Sequence, residues 1–336
     1  KAQQEPTIMQ PQAISKTPEI MQILYRRFVK RPNTNRPLLT PKAINSYRSC
    51  PLQFFYQYVS NLYELDDDEL QIDDRLFGII FHDAAQHLYE QMTQHGCRIE
   101  KAQISQLLKS KTAVAQAVDT AFRKQLPAGA ALNGLQLINR EVIIHYLRQL
   151  LKLDYRQAPF EVYKLEGQVM CDWQVKMGDR QFTTTIGGTI DRLDAVDCDT
   201  AKERIRVVDY KTGGSQMKMA KDVDDIFADN DSHRGYYLQT LLYGNIVATD
   251  SSVNPHQLPV SPALLFIQHA ASDDYDPTLC FGKEPISDIL PYLEDFNSHL
   301  KTVIDEIFNP EVDFTPSPDG KSCSNCPYTK LCGKIS

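Results

Sequence analysis

Two runs decide the fold: GGTIDRLDAV at 187–196 and, after a short polar break, RIRVVDYKTG at 204–213. Both are rich in β-branched and apolar residues, and the Asp197–Lys202 region between them carries turn chemistry, so they read as neighbouring β-strands. Side chains two apart on a strand share a face, which places Asp209 beside Lys211 and turns Tyr210 away. Asp191 is expected to end the adjacent strand. Two carboxylates so placed offer hard oxygen ligands to Mg2+ or Mn2+, with room left for water and a phosphate oxygen. A lysine there can orient that water or offset the charge that builds on a phosphoryl group. Taken alone, D-x-K fits a solvated surface hairpin better than a site. The apolar IRVV before it, the TG after it and GTIDR upstream tip the reading toward a site.

Working outward, β texture begins at Glu161 with EVYKLEGQVMCDWQV, and Gly178-Asp179 marks the next turn. Apolar residues at three- and four-residue spacing predict helices at Leu76–Met92, Ile104–Gln125 and Leu135–Arg156. A loop rich in Asp and Lys runs to about Ser232. Beyond it are a helix over Gly235–Ile246, a strand ALLFIQ at 263–268, and an amphipathic helix from Ser287 to Phe308, stopped by Asn309-Pro310. Near the front, Thr40-Pro41 is a helix start, a capping hydroxyl before a proline of the first turn. Residues 1–37, punctuated by five prolines, read as a linker or arm with one short helical stretch at Ile20–Val29. The expected architecture is therefore α/β: a mixed central sheet flanked by helices, with a helical segment at about 95–157 preceding a catalytic core at about 160–270.

The chain has 336 residues, 42% of them apolar, and a net charge of −7. That is enough for one large core, and the acidic balance is compatible with a nuclease, which needs clustered carboxylates and only a local basic path for phosphate. No apolar run approaches a membrane span, and the polar KAQQEPTIMQPQ front is unlike a secretory signal, so a cytoplasmic protein is expected. A first residue of Lys rather than Met points to a piece of a longer polypeptide. No GxxxxGK(S/T) is present, so no nucleotide-driven motor is expected in this piece.

Eight cysteines in such a chain point to metal rather than disulfides. Cys323, Cys326 and Cys332 form C-x2-C-x5-C, and Cys50 stands alone near the other end. Thiolates bind an iron-sulfur cluster or zinc alike, so spacing alone leaves both open, along with free thiols. Cys97, Cys171, Cys198 and Cys280 show no ligand spacing and read as packing or surface thiols.

GGTIDRLD with VVDYKTG resembles the core of the RecB-like branch of the PD-(D/E)XK nucleases, and further motifs follow in the same order. LFGIIFHDAAQ gives Gly78 and His82, similar to the family's G-x-x-x-H, whose histidine is a metal ligand. LEGQV puts Glu166 on the first core strand, where the family often has an acidic residue. YYLQTLLYG gives Gln239 and Tyr243, similar to its Q-x-x-x-Y, associated with holding DNA and the active site. INSYRSCPLQFFYQYV and SCSNCPYTKLCG resemble the iron-sulfur staple of AddB-type helicase-nuclease subunits and of CRISPR adaptation nucleases.

The resemblance spans about residues 38–336. It implies a restriction-endonuclease-like fold and metal-dependent hydrolysis of DNA phosphodiesters, with exonuclease action. His82, Asp191 and Asp209 would hold Mg2+ or Mn2+, Glu166 and Lys211 would complete the catalytic set, and Gln239 and Tyr243 would position the strand. Cys50, Cys323, Cys326 and Cys332 would hold a 4Fe-4S cluster of structural role. The setting implied by the AddB likeness is double-strand-break repair and recombination, acting on single-stranded DNA ends beside a helicase subunit or an upstream helicase-like domain. A CRISPR adaptation nuclease, or a non-catalytic iron-sulfur module that binds DNA, would share many of these features.

Overall fold

A five-stranded mixed sheet carries the site. The computed structural model describes residues 12–62, 74–127, 132–214, 218–228, 232–317, 321–324 and 326–332. Helices α1 (Pro18–Phe28), α2 (Pro41–Ser49) and the short α3 (Pro51–Phe54), which runs into a π-helical turn at Phe55–Val59, precede the long α4 (Asp74–Met92). A two-residue strand β1 (Arg98–Ile99) leads into α5 (Lys101–Lys109), α6 (Ala113–Gln125) and α7 (Gly134–Gln157). Strands β2 (Phe160–Met177), β3 (Arg180–Val196) and β4 (Arg204–Lys211) follow, then α8 (Val223–Ala228), α9 (Ser232–Thr249) and β5 (Val260–Phe266). A small hairpin of β6 (Cys280–Phe281) and β7 (Glu284–Pro285) comes before α10 (Leu293–Ile307). Sheet order is β1-β2-β3-β4-β5, antiparallel except for the parallel β4/β5 pair. This is the mixed sheet between helices that the alternating sequence texture predicts.

Period-two alternation explains the layering. On β4, Ile205 and Val207 face one apolar cluster and Val208 and Tyr210 the other; on β5, Leu264 and Phe266 divide from Ala263 and Leu265 in the same way. One cluster packs α1, α2, α9 and α10 against the sheet, with Phe28, Ile44, Leu241 and Leu300 at its centre. The second packs α4, α6 and α7 on the opposite face through Phe81, Leu88, Val118 and Leu147. Asp209 and Lys211 continue the row of Ile205 and Val207 and so emerge on the α9 side.

The arm expected at the front is, over residues 12–37, a packed one; residues 1–11 lie outside the described residues. Ile14 pairs with Phe314, Leu24 and Phe28 are fully buried, and Lys30 N–H donates to Thr183 O at 2.7 Å. Thr40 caps α2 as expected, its hydroxyl accepting from Ala43 N–H at 3.3 Å. Parts of the Asp- and Lys-rich loop (215–217, 229–231) and residues 128–131 of the helical segment are also outside the described residues.

Two helices differ from the sequence reading. The span 104–125 is broken at Ser110, the C-cap of α5, whose hydroxyl accepts at 3.0 Å from the N–H of Ala113, the first residue of α6, while Arg148 donates to Leu108 O and Ser110 O at the end of α5. The last helix begins at Leu293 rather than Ser287. Asp288 accepts from Leu290 N–H, and Ile289 N–H donates to Val260 O, which ties 288–290 to the start of β5 before Pro291. Among the described residues no helix is long and apolar enough to cross a membrane.

Candidate active site

The site lies where β3 and β4 part. Their pairing runs from Val196↔Arg204 to Arg192↔Val208 and stops there, one residue short of placing Asp191 opposite Asp209. Asp191 therefore lies inside β3, which continues to Val196, and not at a strand end as the sequence reading had it. Its carboxylate replaces the lost ladder: Oδ2 accepts from Tyr210 N–H at 2.5 Å. That bond satisfies a buried amide and leaves Oδ1 facing out of the strand.

Glu166 reaches the same place from β2. Pairing between β2 and β3 shifts register between Val162 and Lys164, continues through Leu165↔Arg192 and skips one position before Gly167↔Ile190, which brings Glu166 across from Asp191. Glu166 has a φ of 45°, left-handed backbone that a residue with a side chain seldom adopts, and such a residue within a strand redirects its side chain. Glu166, Asp191 and Asp209 thus form a lateral row of acids over three consecutive strands.

Helix α4 supplies the histidine. His82 follows the buried Phe81, and its Nδ1 lies 3.1 Å from Glu166 Oε1 and 3.4 Å from Asp191 Oδ1. Gly78, one turn earlier, faces Thr212 just past β4, where an added Cβ would be 3.7 Å from the threonine hydroxyl. Among the described residues, His82, Glu166 and Asp191 form a group whose potential ligand atoms all lie within 4.8 Å of one another. Burial works against a charge on the imidazole, but hydrogen bonds to Asp191 and Glu166 and their negative charge outweigh it and push the His82 pKa up to about 10.

Asp209 is held differently. Its Oδ1 accepts from Gln239 Nε2 at 2.8 Å and its Oδ2 is 2.6 Å from Lys211 Nζ. Burial and the like charge of Asp191 hold its carboxyl above the ordinary value, against the pull of Lys211. For Lys211, burial disfavours the charge, yet the adjoining Asp209 carboxylate keeps the ammonium above its usual pKa. The lysine is protonated in this setting.

Gln239 and Tyr243 share one face of α9, as their spacing requires. Tyr243 is buried and hydrogen-bonded to Gln239, and the negative charges of Asp209 and Asp191 add to burial in raising its pKa. The two glycines of GGTIDRLD have separate steric causes. Gly187 has a φ of 147° and an added Cβ would lie 2.0 Å from Val169 O of β2; Gly188 lies directly beneath the Tyr243 ring. The sequence reading missed Tyr236, whose ring lies 4.5 Å from Lys211 Nζ. Its signal was present: 236, 239 and 243 are three, then four residues apart, a continuous helical stripe.

Also missed was the support behind the row. Arg192 turns away from Asp191 and is fully buried, hydrogen-bonded through its two terminal nitrogens to Asp154 of α7 at 2.6 and 3.1 Å and ion-paired with Asp194, whose Oδ2 lies 2.9 Å from Nε. Asp194 in turn takes Nε and Nη2 of Arg206, both at 2.8 Å. Tyr89, Phe160 and Tyr210 enclose the Arg192 guanidinium.

Cys50, Cys323, Cys326 and Cys332 line one pocket together with Tyr56 and Tyr328. Cys50 occupies the corner between α2 and α3, and the C-terminal segment docks on it through Leu52 N–H to Thr315 O and Tyr328 Oη to Leu62 O. Burial, then the neighbouring thiols, hold Cys326 and Cys332 above the ordinary thiol pKa. Tyr47 and Phe54 beside Cys50 are core residues. Cys97, Cys171, Cys198 and Cys280 are unbridged, Cys97 being exposed.

No curated protein matches this chain. The profile of the PD-(D/E)XK nuclease superfamily matches residues 38–333, a span containing the acidic row, Lys211, His82 and all four cysteines of the pocket. With the mixed sheet and the D-x-K strand at its opening, that match over most of the length shows that the chain belongs to the PD-(D/E)XK nuclease superfamily.

Proposed function

We propose that the chain is a metal-dependent deoxyribonuclease acting from DNA ends, with His82, Glu166, Asp191 and Asp209 around one divalent cation. The observation that carries this reading is the row of three carboxylates on β2, β3 and β4, with Lys211 at one end and His82 over the middle. The donor set fits Mg2+ or Mn2+: hard oxygens dominate, one imidazole is added, and three donor atoms already converge. Such a cation supplies Lewis acidity toward a phosphate oxygen and a more acidic water.

The protein's own groups do the rest. Tyr210 N–H fixes Asp191 so that Oδ1 points into the site. Gln239 fixes Asp209, and Asp209 fixes the Lys211 ammonium. The remaining N–H groups of that ammonium donate to the attacking water or to a non-bridging oxygen of the scissile phosphate, where negative charge grows as the ester breaks. Tyr243 locks Gln239 and closes the floor of the site over Gly188.

The four-cysteine pocket supports a 4Fe-4S cluster that staples Cys50 to the C-terminal segment, since four thiols from both ends of the chain share one lining. The setting we favour is processing of double-strand breaks beside a helicase subunit or domain, from the likeness of the whole ordered motif set to AddB-type proteins.

The test is cleavage of end-labelled single-stranded DNA by anaerobically purified protein with Mn2+ or Mg2+, against Lys211→Ala. Metal-dependent release of label that disappears in the variant is the expected result. DNA binding without cutting by either protein would overturn the enzyme reading in favour of a DNA-binding module. Cutting by both proteins would assign the activity to a contaminant.

A further inference from the structure

We infer that Tyr236 is a positioning residue for Lys211, the third member of an α9 stripe in which Gln239 holds Asp209 and Tyr236 holds the lysine of the same D-x-K pair. The inference rests on the nuclease reading of Lys211 but concerns a contact outside the motif residues.

Lysine has a long stem with several rotatable bonds, so an ammonium at a reacting centre needs more than one restraint to stay in place. Asp209 Oδ2, at 2.6 Å, gives one. Alone, that single contact leaves Nζ free to swing about the carboxylate oxygen. The face of Tyr236 lies on another side, its centroid 4.5 Å from Nζ, where the ring quadrupole attracts the cation without consuming an N–H. Asp209 and Tyr236 together hold the nitrogen from two directions and leave donors for a ligand.

The ring is itself braced. Phe266 pairs with Lys211 in the parallel β4/β5 register and meets Tyr236 edge to face, with centroids 6.3 Å apart. Gly214, at a φ of 114°, folds the chain after Lys211 over Phe266, where an added Cβ would lie 3.1 Å from the phenylalanine ring. From the helix side, His233 meets Tyr236 at 6.2 Å. Lys211, Phe266 and Tyr236 thus bring β4, β5 and α9 together at one point.

The experiment compares wild type, Tyr236→Phe and Tyr236→Leu by two readouts. The first is the rate of reductive methylation at Lys211, followed by peptide mass spectrometry without metal or DNA. The second is kcat and KM for cleavage of single-stranded DNA with Mn2+. Removing the ring in Tyr236→Leu should speed labelling of Lys211 several-fold and lower kcat roughly tenfold, a size that a partly desolvated cation–π contact supports, with KM within about twofold. Tyr236→Phe keeps the ring and should restore both values. Wild-type labelling in Tyr236→Leu overturns the inference, as does a rise in KM at unchanged kcat, which would mark a contact with substrate. Equal damage in Tyr236→Phe overturns it too, by assigning the effect to the hydroxyl. Wild-type protein that cuts no DNA would sink the nuclease reading, while the labelling result still decides the contact.

Discussion

The Tyr243 hydroxyl occupies the space that a side chain on Gly188 would need: a Cβ built there lies 2.2 Å from the phenolic oxygen and 2.9 Å from the ring carbon bearing it. Because both partners sit on rigid elements, β3 and α9, neither can yield without moving the other. Gly188→Ala should destabilise the fold by about 1–3 kcal/mol, the usual cost of overpacking, and lower the melting temperature. It should also push Tyr243 off Gln239, freeing Asp209 Oδ1 to rotate, so nuclease activity should fall more than tenfold even below the melting transition. An alanine variant with unchanged melting and rate would show that β3 can shift at no cost.

In the proposed metal site, replacing Glu166 should weaken metal affinity more than it slows the chemical step. Its left-handed backbone directs Oε1 to within 3.1 Å of His82 Nδ1, and a carboxamide at this position retains the shape but loses the charge. Calorimetric titration with Mn2+ should show Glu166→Gln binding at least tenfold more weakly, roughly 1.4 kcal/mol or more, without DNA present. Equal affinity in the two proteins would remove Glu166 from the ligand set.

What the sequence could reveal was set by which interactions are periodic. Asp209 and Lys211 were readable because period two places them on one face, and Gln239 with Tyr243 because four residues make one helical turn. That Asp191 lies on the neighbouring strand was readable, but its position inside that strand was not, since the parting of β3 from β4 depends on a side chain replacing a ladder bond. Nothing local signals the φ of Glu166. Arg192 and Asp194 lie within the quoted GGTIDRLD, yet charged residues normally read as solvated, and only the approach of Asp154 on α7 makes them core. The break at Ser110 was within reach, because the polar run KSKT at 109–112 interrupts the helical pattern there.

That buried network behind the acidic row predicts a stability effect of its own. Asp154 and Arg192 are each 1% exposed, so removing one partner strands the other's charge in the core. Asp154→Ala should cost about 3–5 kcal/mol in urea unfolding, far more than loss of a surface pair such as Arg156–Asp273. A cost below about 1 kcal/mol would mean that water reaches Arg192.

Lys16 gives a pH signature. Its ammonium donates to Glu306 O and Asn309 O at the end of α10, but burial outweighs the nearby Glu306 and Asp313 charges and lowers its pKa from 10.5 to about 8. Between about pH 8 and 10.5 the unfolded chain keeps this proton while the folded chain releases it, so stability from this group rises with pH across that window. The full rise is about 3 kcal/mol at most. Subtracting the Lys16→Met stability curve from that of the wild type should leave an upward slope in this range. A flat difference would show that Lys16 stays charged when buried.

The cysteine pocket can be tested without any nuclease assay. Cys50 is 8% exposed and is the only one of the four contributed from the front of the chain, so Cys50→Ser removes the link between that segment and the C-terminal cysteines. Protein prepared anaerobically should contain about four irons per chain and absorb in the visible range, as a 4Fe-4S cluster requires. The serine variant should lose most of that iron and unfold more readily, with first loosening at the Leu52–Thr315 and Tyr328–Leu62 contacts. One zinc per chain in place of iron would keep the staple but change its chemistry to that of a tetrahedral thiolate site. Metal-free protein with unchanged stability in both forms would leave the four residues as ordinary thiols, with the C-terminal segment docked through its backbone, side-chain and aromatic contacts.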